Sequence, residues 1–294
     1  MSTAALALVL VAALLHAAWN VLAKKVGGDA RFALMTALIV VVLWAPVCLA
    51  VGLVDAMTRW GVLEWGVLLA SAVIHVAYFI ALLRGYRAAD LTVVYPVARG
   101  TGPLLSSIGA VLWLGESLSL AAAAGVAGVV FGVFCIAGGP ALLTRARDPA
   151  QRARVVAGLG WGGLTGGLIA AYTLVDGYAV KVLLISPIVV DYVGNVLRVP
   201  FLLPTALHDR TAFAALWRLQ WRAAFVIALI GPLAYVLVLY AVQLAPLSHV
   251  APAREVSMLF AALLGGRLLG EGDTRMRLIG AACIAGGVAG LALG

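Results

Sequence analysis

One passage of the chain occurs twice, 155 positions apart, and both copies lie in apolar sequence. Arg99 recurs as Arg254, Leu114-Gly115-Glu116 as Leu269-Gly270-Glu271, and Gly125 and Gly132 as Gly280 and Gly287. Charged residues shared at one fixed offset are not explained by the general likeness of Ala- and Gly-rich segments. A hydrophobic chain of two related halves is a common plan for membrane carriers, with the binding site at the mid-membrane junction of the halves.

Composition agrees. With 64% hydrophobic and 11% charged residues and a mean hydropathy of +1.11, the chain is too apolar for a soluble domain. A bilayer core takes roughly 20 apolar residues per helix. Ten segments meet this: 4–22, 33–54, 61–83, 92–113, 119–138, 156–178, 182–206, 223–244, 247–266 and 278–293. They are too long for barrel strands and do not alternate with period two, so a helical bundle is expected. The first segment has neither a basic stretch before it nor a small-residue cleavage site after it, and reads as a retained helix.

Five spans per half is an odd number, so the second half enters the membrane from the opposite side. The expected fold is therefore an all-α membrane protein, ten transmembrane helices in two inverted five-helix repeats around a central cavity. The first repeat covers 1–141, a basic linker 142–154, and the second repeat 155–294. Gly125, Gly128 and Gly132, like Gly280 and Gly287, return to one helix face, where small residues let helices approach closely. That face suits packing between the halves and between two molecules equally, so monomer and homodimer both stay open.

The net charge of +8 does not point to nucleic acid. Of the 20 Lys and Arg, 15 fall in alternate loops: Lys24, Lys25, Arg31, Arg84, Arg87, Arg145, Arg147, Arg152, Arg154, Arg210, Arg218, Arg222, Arg267, Arg275 and Arg277. The opposite loops carry Arg59 and Lys181. Positive-rich loops stay cytoplasmic, which puts both termini on the non-cytoplasmic side. Cys48, Cys135 and Cys283 stand singly in apolar spans and read as packing residues. No metal site and no cofactor is expected.

Charge inside a span is costly and marks a pathway or a fixed ion pair. Arg99, Asp191, Arg198, Arg254 and Glu255 are so placed, while Asp176 lies near the end of its span, within reach of water. Arg99 and Arg254 each follow a proline, Pro96 and Pro252, which makes those prolines candidate hinges. Their guanidiniums suit a substrate carboxylate. Alternatively, each Arg braces a kinked helix, for example by pairing Arg254 with Asp191. Asp191, Asn195 and Arg198 share one helix face, as a coupling site or as a structural ion pair. Glu255 has the same two readings. Polar-tipped rings and amides at mid-span depth complete a candidate cavity: Trp19, Asn20, His75, Tyr78, Tyr95, Trp161, Tyr172 and Tyr235. Trp60, Trp65, Trp217 and Trp221 fall near span ends and suit the interface.

The chain resembles the drug/metabolite transporter superfamily, in its bacterial branch of EamA-type carriers. His16-Ala17-Ala18-Trp19-Asn20 with Lys24, Tyr95 to Gly100, Leu114-Gly115-Glu116, Pro252-Ala253-Arg254-Glu255 and Leu269-Gly270-Glu271 carry the resemblance. It implies two inverted five-helix repeats and export of small metabolites through the bacterial inner membrane. Within that branch the chain looks most like exporters of neutral and aromatic amino acids. The expected partners are a small-molecule substrate and the lipid bilayer; coupling to protons through Asp191 or Glu255 and facilitated diffusion both stay open. A carrier of cationic or lipophilic drugs is the rival reading. A membrane-embedded lipid enzyme is the distant one, with Glu116, Glu271 and Asp273 as its candidates. Repeat symmetry sends Glu116 and Glu271 to opposite membrane faces, so they cannot form one site, and no enzyme is expected.

Overall fold

The computed structural model describes residues 1–27, 29–89, 91–136, 149–260 and 274–294. They form α1 (Thr3–Val26), α2 (Ala30–Ala50), α3 (Leu53–Arg59), α4 (Val62–Ala88), α5 (Leu91–Trp113), α6 (Leu120–Ile136), α7 (Pro149–Lys181), α8 (Pro187–His208), α9 (Arg210–Leu244), α10 (Leu247–Ala253) and α11 (Thr274–Leu293). Residues 256–260 are helical again after α10, and no strand occurs among the described residues. By length and composition α1, α2, α4, α7, α8 and α9 can each cross a membrane, while α6 and the end of α11 are shorter apolar helices. The expected spans overlap helices, with 182–186 of 182–206 non-helical, and with 137–138 of 119–138 and 261–266 of 247–266 outside the described residues.

Short polar devices set the helix ends. The Asp29 carboxylate accepts the Arg31 and Phe32 N–H groups at 3.0 Å each, which starts α2. Asp209 caps α9 through the Ala212 N–H at 2.9 Å, and Glu64 accepts the Gly61 N–H at the start of α4. The basic linker differs from expectation in one respect. Its residues 149–154 are the first turns of α7, and 142–148 lie outside the described residues.

The helices alternate in direction. At one end, Gln220 on α9 donates to the Val26 carbonyl of α1, and Gly158 on α7 sits against Ala89, just after α4. There Leu34 also packs with Leu202 and Ala206. Arg31, Arg84, Arg87, Arg210, Arg218 and Arg222 belong to this end. At the other end Lys181 meets Glu116 and the Ala245 carbonyl. These six arginines thus lie at the end of the bundle opposite Lys181.

Close approach through glycine builds two of the contacts between the repeats. α6 packs along α11. A Cβ on Gly125 would lie 2.7 Å from the Gly287 carbonyl oxygen, and one on Gly132 would lie 2.6 Å from that of Gly280. Since Gly125 is the repeat counterpart of Gly280, and Gly132 of Gly287, each glycine meets its neighbour's counterpart. A two-fold axis between the helices requires this crossed pairing. The face expected to serve either the halves or a dimer is filled here by the chain itself. A second stripe, Gly158, Gly162 and Gly166 on α7, receives Val93, Val97 and Thr101 of α5. The remaining contacts follow the same symmetry: α1 packs on α9 as α4 packs on α7, and α2 faces α8.

Adding a methyl group at the crossing drives it into backbone that has nowhere to move. Gly132→Ala and Gly280→Ala should each cost about 1–3 kcal/mol by overpacking. Gly163→Ala, where nothing lies within 4 Å, should be neutral or slightly stabilising. Thermal unfolding of the purified protein in detergent checks the contrast.

Candidate functional site

The second copy of the Pro-x-x-Arg passage breaks its helix. α10 ends at Ala253, and Arg254-Glu255 form a turn before helix resumes at 256. The turn is tightened by short-span bonds, from the Glu255 N–H to the Pro252 carbonyl at 2.9 Å and from the Ser257 N–H to the Arg254 carbonyl at 3.1 Å. Pro96 behaves differently: α5 runs unbroken through it and through Pro103. Only the Pro252 copy interrupts its helix.

The break turns Glu255 toward the first repeat. Its Oε2 lies 2.9 Å from an Arg99 terminal nitrogen, which also donates to the Ser257 hydroxyl at 3.0 Å. Arg99 is 9% exposed and Glu255 0%, so water screens neither charge. Arg99 is therefore committed to a carboxylate of the other repeat. The pairing of Arg254 with Asp191 does not form. Asp191 instead accepts from Asn195 Nδ2 at 3.2 Å.

Arg254 is buried, and its Nε has no hydrogen-bond partner. Its charge acts on His16, His75, Tyr78 and Tyr235. Three of those rings belong to one assembly. His75 stacks on Tyr172 with centroids 3.9 Å apart, Tyr78 meets Tyr172 edge-on at 5.6 Å, and Tyr235 meets His75 edge-on at 6.0 Å. Ala98, Ile169 and Ile74 pack around them. The rings come from α4, α7 and α9, so both repeats contribute.

The other sequence candidates lie apart from this group. Trp19 packs with Phe32, Met35 and Ile227 and touches His16 edge-on at 5.0 Å. Asn20 donates to the His16 carbonyl at 2.7 Å. Trp161 packs under Gly85 of α4, and Tyr95 borders the main core. Arg198 shares the α8 face with Asp191, and its Nε is buried without a partner. An apolar cavity of about 200 Å³ between α5, α6 and α7 is lined by Val93, Pro96, Val97, Thr101, Val130 and Phe134, and holds none of the polar candidates.

Sequence reasoning placed Asp176 within reach of water. The structure corrects this: α7 continues to Lys181, and Asp176 is 1% exposed, accepting the Tyr235 hydroxyl. The role of Glu116 was also missed. Gly115, at φ +67°, turns the chain out of α5 so that Glu116 faces the start of α10. The carboxylate accepts the Leu247 and Ser248 N–H groups at 2.7 and 2.8 Å and pairs with Lys181 at 2.8 Å. Burial alone would raise its pKa, but the Lys181 ammonium and the two N–H groups outweigh this and hold it below the ordinary carboxylate range. The counterpart residue Glu271 lies outside the described residues. Among the described residues no group of three or more His, Cys, Asp or Glu gathers as a metal site.

The sequence profile of the EamA-like transporter family matches residues 3–138 and 157–293. The chain belongs to this family. Each half carries one copy of the EamA unit, and the protein is a multi-pass membrane transporter built from two repeats. A crystal structure of a protein superposes on 100% of this chain and 98% of its own, with a TM-score of 0.72 and 18% identity, a likeness of fold. Among curated proteins no sequence matches. In this EamA-like transporter the Leu-Gly-Glu turn of the first repeat acts as a clamp on the broken helix of the second.

Two predictions follow from these charges. Removing one member of the Arg99–Glu255 pair strands the other in a dry site, so Arg99→Ala or Glu255→Ala should each cost about 3–5 kcal/mol. The double variant should cost less than the two singles summed, as a thermal-unfolding cycle reads directly. The Glu116 clamp should depend on pH. A depressed carboxylate pKa gives stability that is present above the unfolded value and lost as pH falls through the folded one. The wild-type advantage in melting temperature over Glu116→Gln should therefore be full at pH 7 and vanish in acid.

Proposed function

We propose that this transporter exports small zwitterionic metabolites, foremost amino acids with neutral or aromatic side chains, by alternating access. The reading is supported by Arg254, a guanidinium buried at the helix break between the repeats, and by the aromatic group that both repeats assemble. Arg99 is occupied by Glu255 and Arg198 stands beside Asp191, so Arg254 is the cation we assign to receive a substrate carboxylate in a planar, two-point grip. Tyr78, Tyr172 and Tyr235 would take the side chain and offer hydroxyls to the polar end. His75 belongs to this group, while Tyr95, Trp161, Trp19, Asn20 and Asn195 lie apart from it.

Broken helices at the repeat junction are where carriers of this plan hold substrate, and the Arg254-Glu255 turn supplies one. Pro252 is then the hinge, with Pro96 keeping α5 as a stiffer lever. The reading places the protein in a bacterial inner membrane with the arginine-bearing end inside and Met1 outside. A cationic-drug carrier is less well supported, because Glu255, the carboxylate nearest Arg254 in sequence, is neutralised by Arg99.

Counterflow of labelled phenylalanine, leucine and alanine in proteoliposomes tests the proposal. Saturable exchange is expected, falling roughly ten- to hundredfold in Arg254→Gln, as expected for losing about 1.5–3 kcal/mol of charged hydrogen bonding. Tyr78→Ala should weaken phenylalanine exchange more than alanine exchange. Wild-type protein that is folded yet moves no amino acid would sink the reading.

A further inference from the structure

Asp176 has no part in the substrate grip, yet its surroundings make a demand of their own. Its Oδ2 accepts the Tyr235 hydroxyl and lies 4.0 Å from His75 Nε2, while Oδ1 is buried without a partner. The other ring nitrogen of His75, Nδ1, lies 2.9 Å from the Ser71 carbonyl oxygen and 3.3 Å from the Ser71 hydroxyl. A carbonyl only accepts, so Nδ1 carries a hydrogen. In a neutral ring Nε2 is then the bare nitrogen, 4.0 Å from an oxygen of a carboxylate that is 1% exposed. Closing that gap to hydrogen-bond distance requires a proton on one of the two acceptors.

We propose that His75 and Asp176 form a proton site whose loading and unloading are linked to the carrier's conformational cycle. Loaded, the pair is imidazolium and carboxylate, or imidazole and carboxylic acid, one proton in either form. Unloaded, it is imidazole and carboxylate, and the proton has passed to water on the side then open. His75 stands on α4 of the first repeat, while Asp176 and Tyr235 stand on α7 and α9 of the second. Any movement of one repeat against the other therefore changes the environment that decides whether the proton stays. This step rests on the alternating-access reading above.

The charges around the pair fit a site that can hold either state. From α4 come His75 and the Ser71 hydroxyl, and from α9 comes Tyr235. From α8, Asp191 and Arg198 act on Asp176 with opposite signs. Tyr172 on α7 stacks on His75, and Arg254, beyond α10, acts on His75 and Tyr235. On α5, Arg99 is taken up by Glu255, and Tyr95 acts on Tyr78 and Arg99. His249 on α10 belongs to the Glu116–Lys181 end.

Infrared difference spectroscopy of the full chain in lipid, between acidic and alkaline pH, reads the site without any substrate. The expected result is a titrating carboxyl band that disappears in Asp176→Asn, with its midpoint displaced in His75→Gln and in Tyr235→Phe. The transport arm compares counterflow at equal pH with accumulation driven by a pH gradient, using the same labelled amino acids. Asp176→Asn should keep counterflow within about threefold of wild type and lose at least tenfold of the gradient-driven accumulation. A band unchanged in Asp176→Asn, or accumulation that persists in it, overturns the proposal. A titrating band that depends on Asp176, in a protein that moves no amino acid, upholds the proton site and sinks the amino-acid reading alone.

Discussion

The contact between Arg99 and Glu255 holds the two repeats in register at the depth where neither charge has water. Inserting either residue alone would cost at least a few kcal/mol, so the chain is stable only with both present and facing. That requirement fixes the rest. Glu255 faces Arg99 from the turn that follows α10, and Arg254 is buried in the same turn.

Symmetry in the sequence is thus spent asymmetrically in the fold. Pro96 lies within a continuous α5, while Pro252 ends α10 one residue later. Arg99 pairs with Glu255 of the other repeat, while Arg254, equally buried, stands in the turn that ends α10. A duplicated gene begins with two equal sites. A carrier of an asymmetric molecule profits from giving them different work, one bracing the halves and one facing the aromatic group. Glu116 adds a second tie between the repeats, because its carboxylate, from the first, holds the start of the short α10 and pairs with Lys181, both from the second.

Much of this was legible in the chain. Apolar length gave the helices, and the fixed offset between Arg99 and Arg254 gave the repeat, because both signals are local and survive without coordinates. The crossed glycines were legible as a face but not as an address, since spacing says that a helix can approach and not which one. Asp176 was misread because burial depends on what α9 packs over the end of α7, which no window of α7 records. The Arg99–Glu255 pair was missed for a related reason: carboxylate and guanidinium were each visible, but choosing between Asp191 and Glu255 needs the handedness of the break at Arg254. Glu116 was recognised as a repeated residue and not as a helix clamp, because its partners are backbone N–H groups that carry no sequence signal.

The account turns on Arg254 as the substrate anchor between the repeats. The direct measurement is an experimental structure of the protein in lipid, determined with phenylalanine at a concentration that saturates exchange. It should show the carboxylate on the Arg254 guanidinium and the ring among Tyr78, Tyr172 and Tyr235, with Arg99 still on Glu255. Phenylalanine bound elsewhere, or Arg254 closed onto a carboxylate of the protein with the amino acid absent, would contradict it.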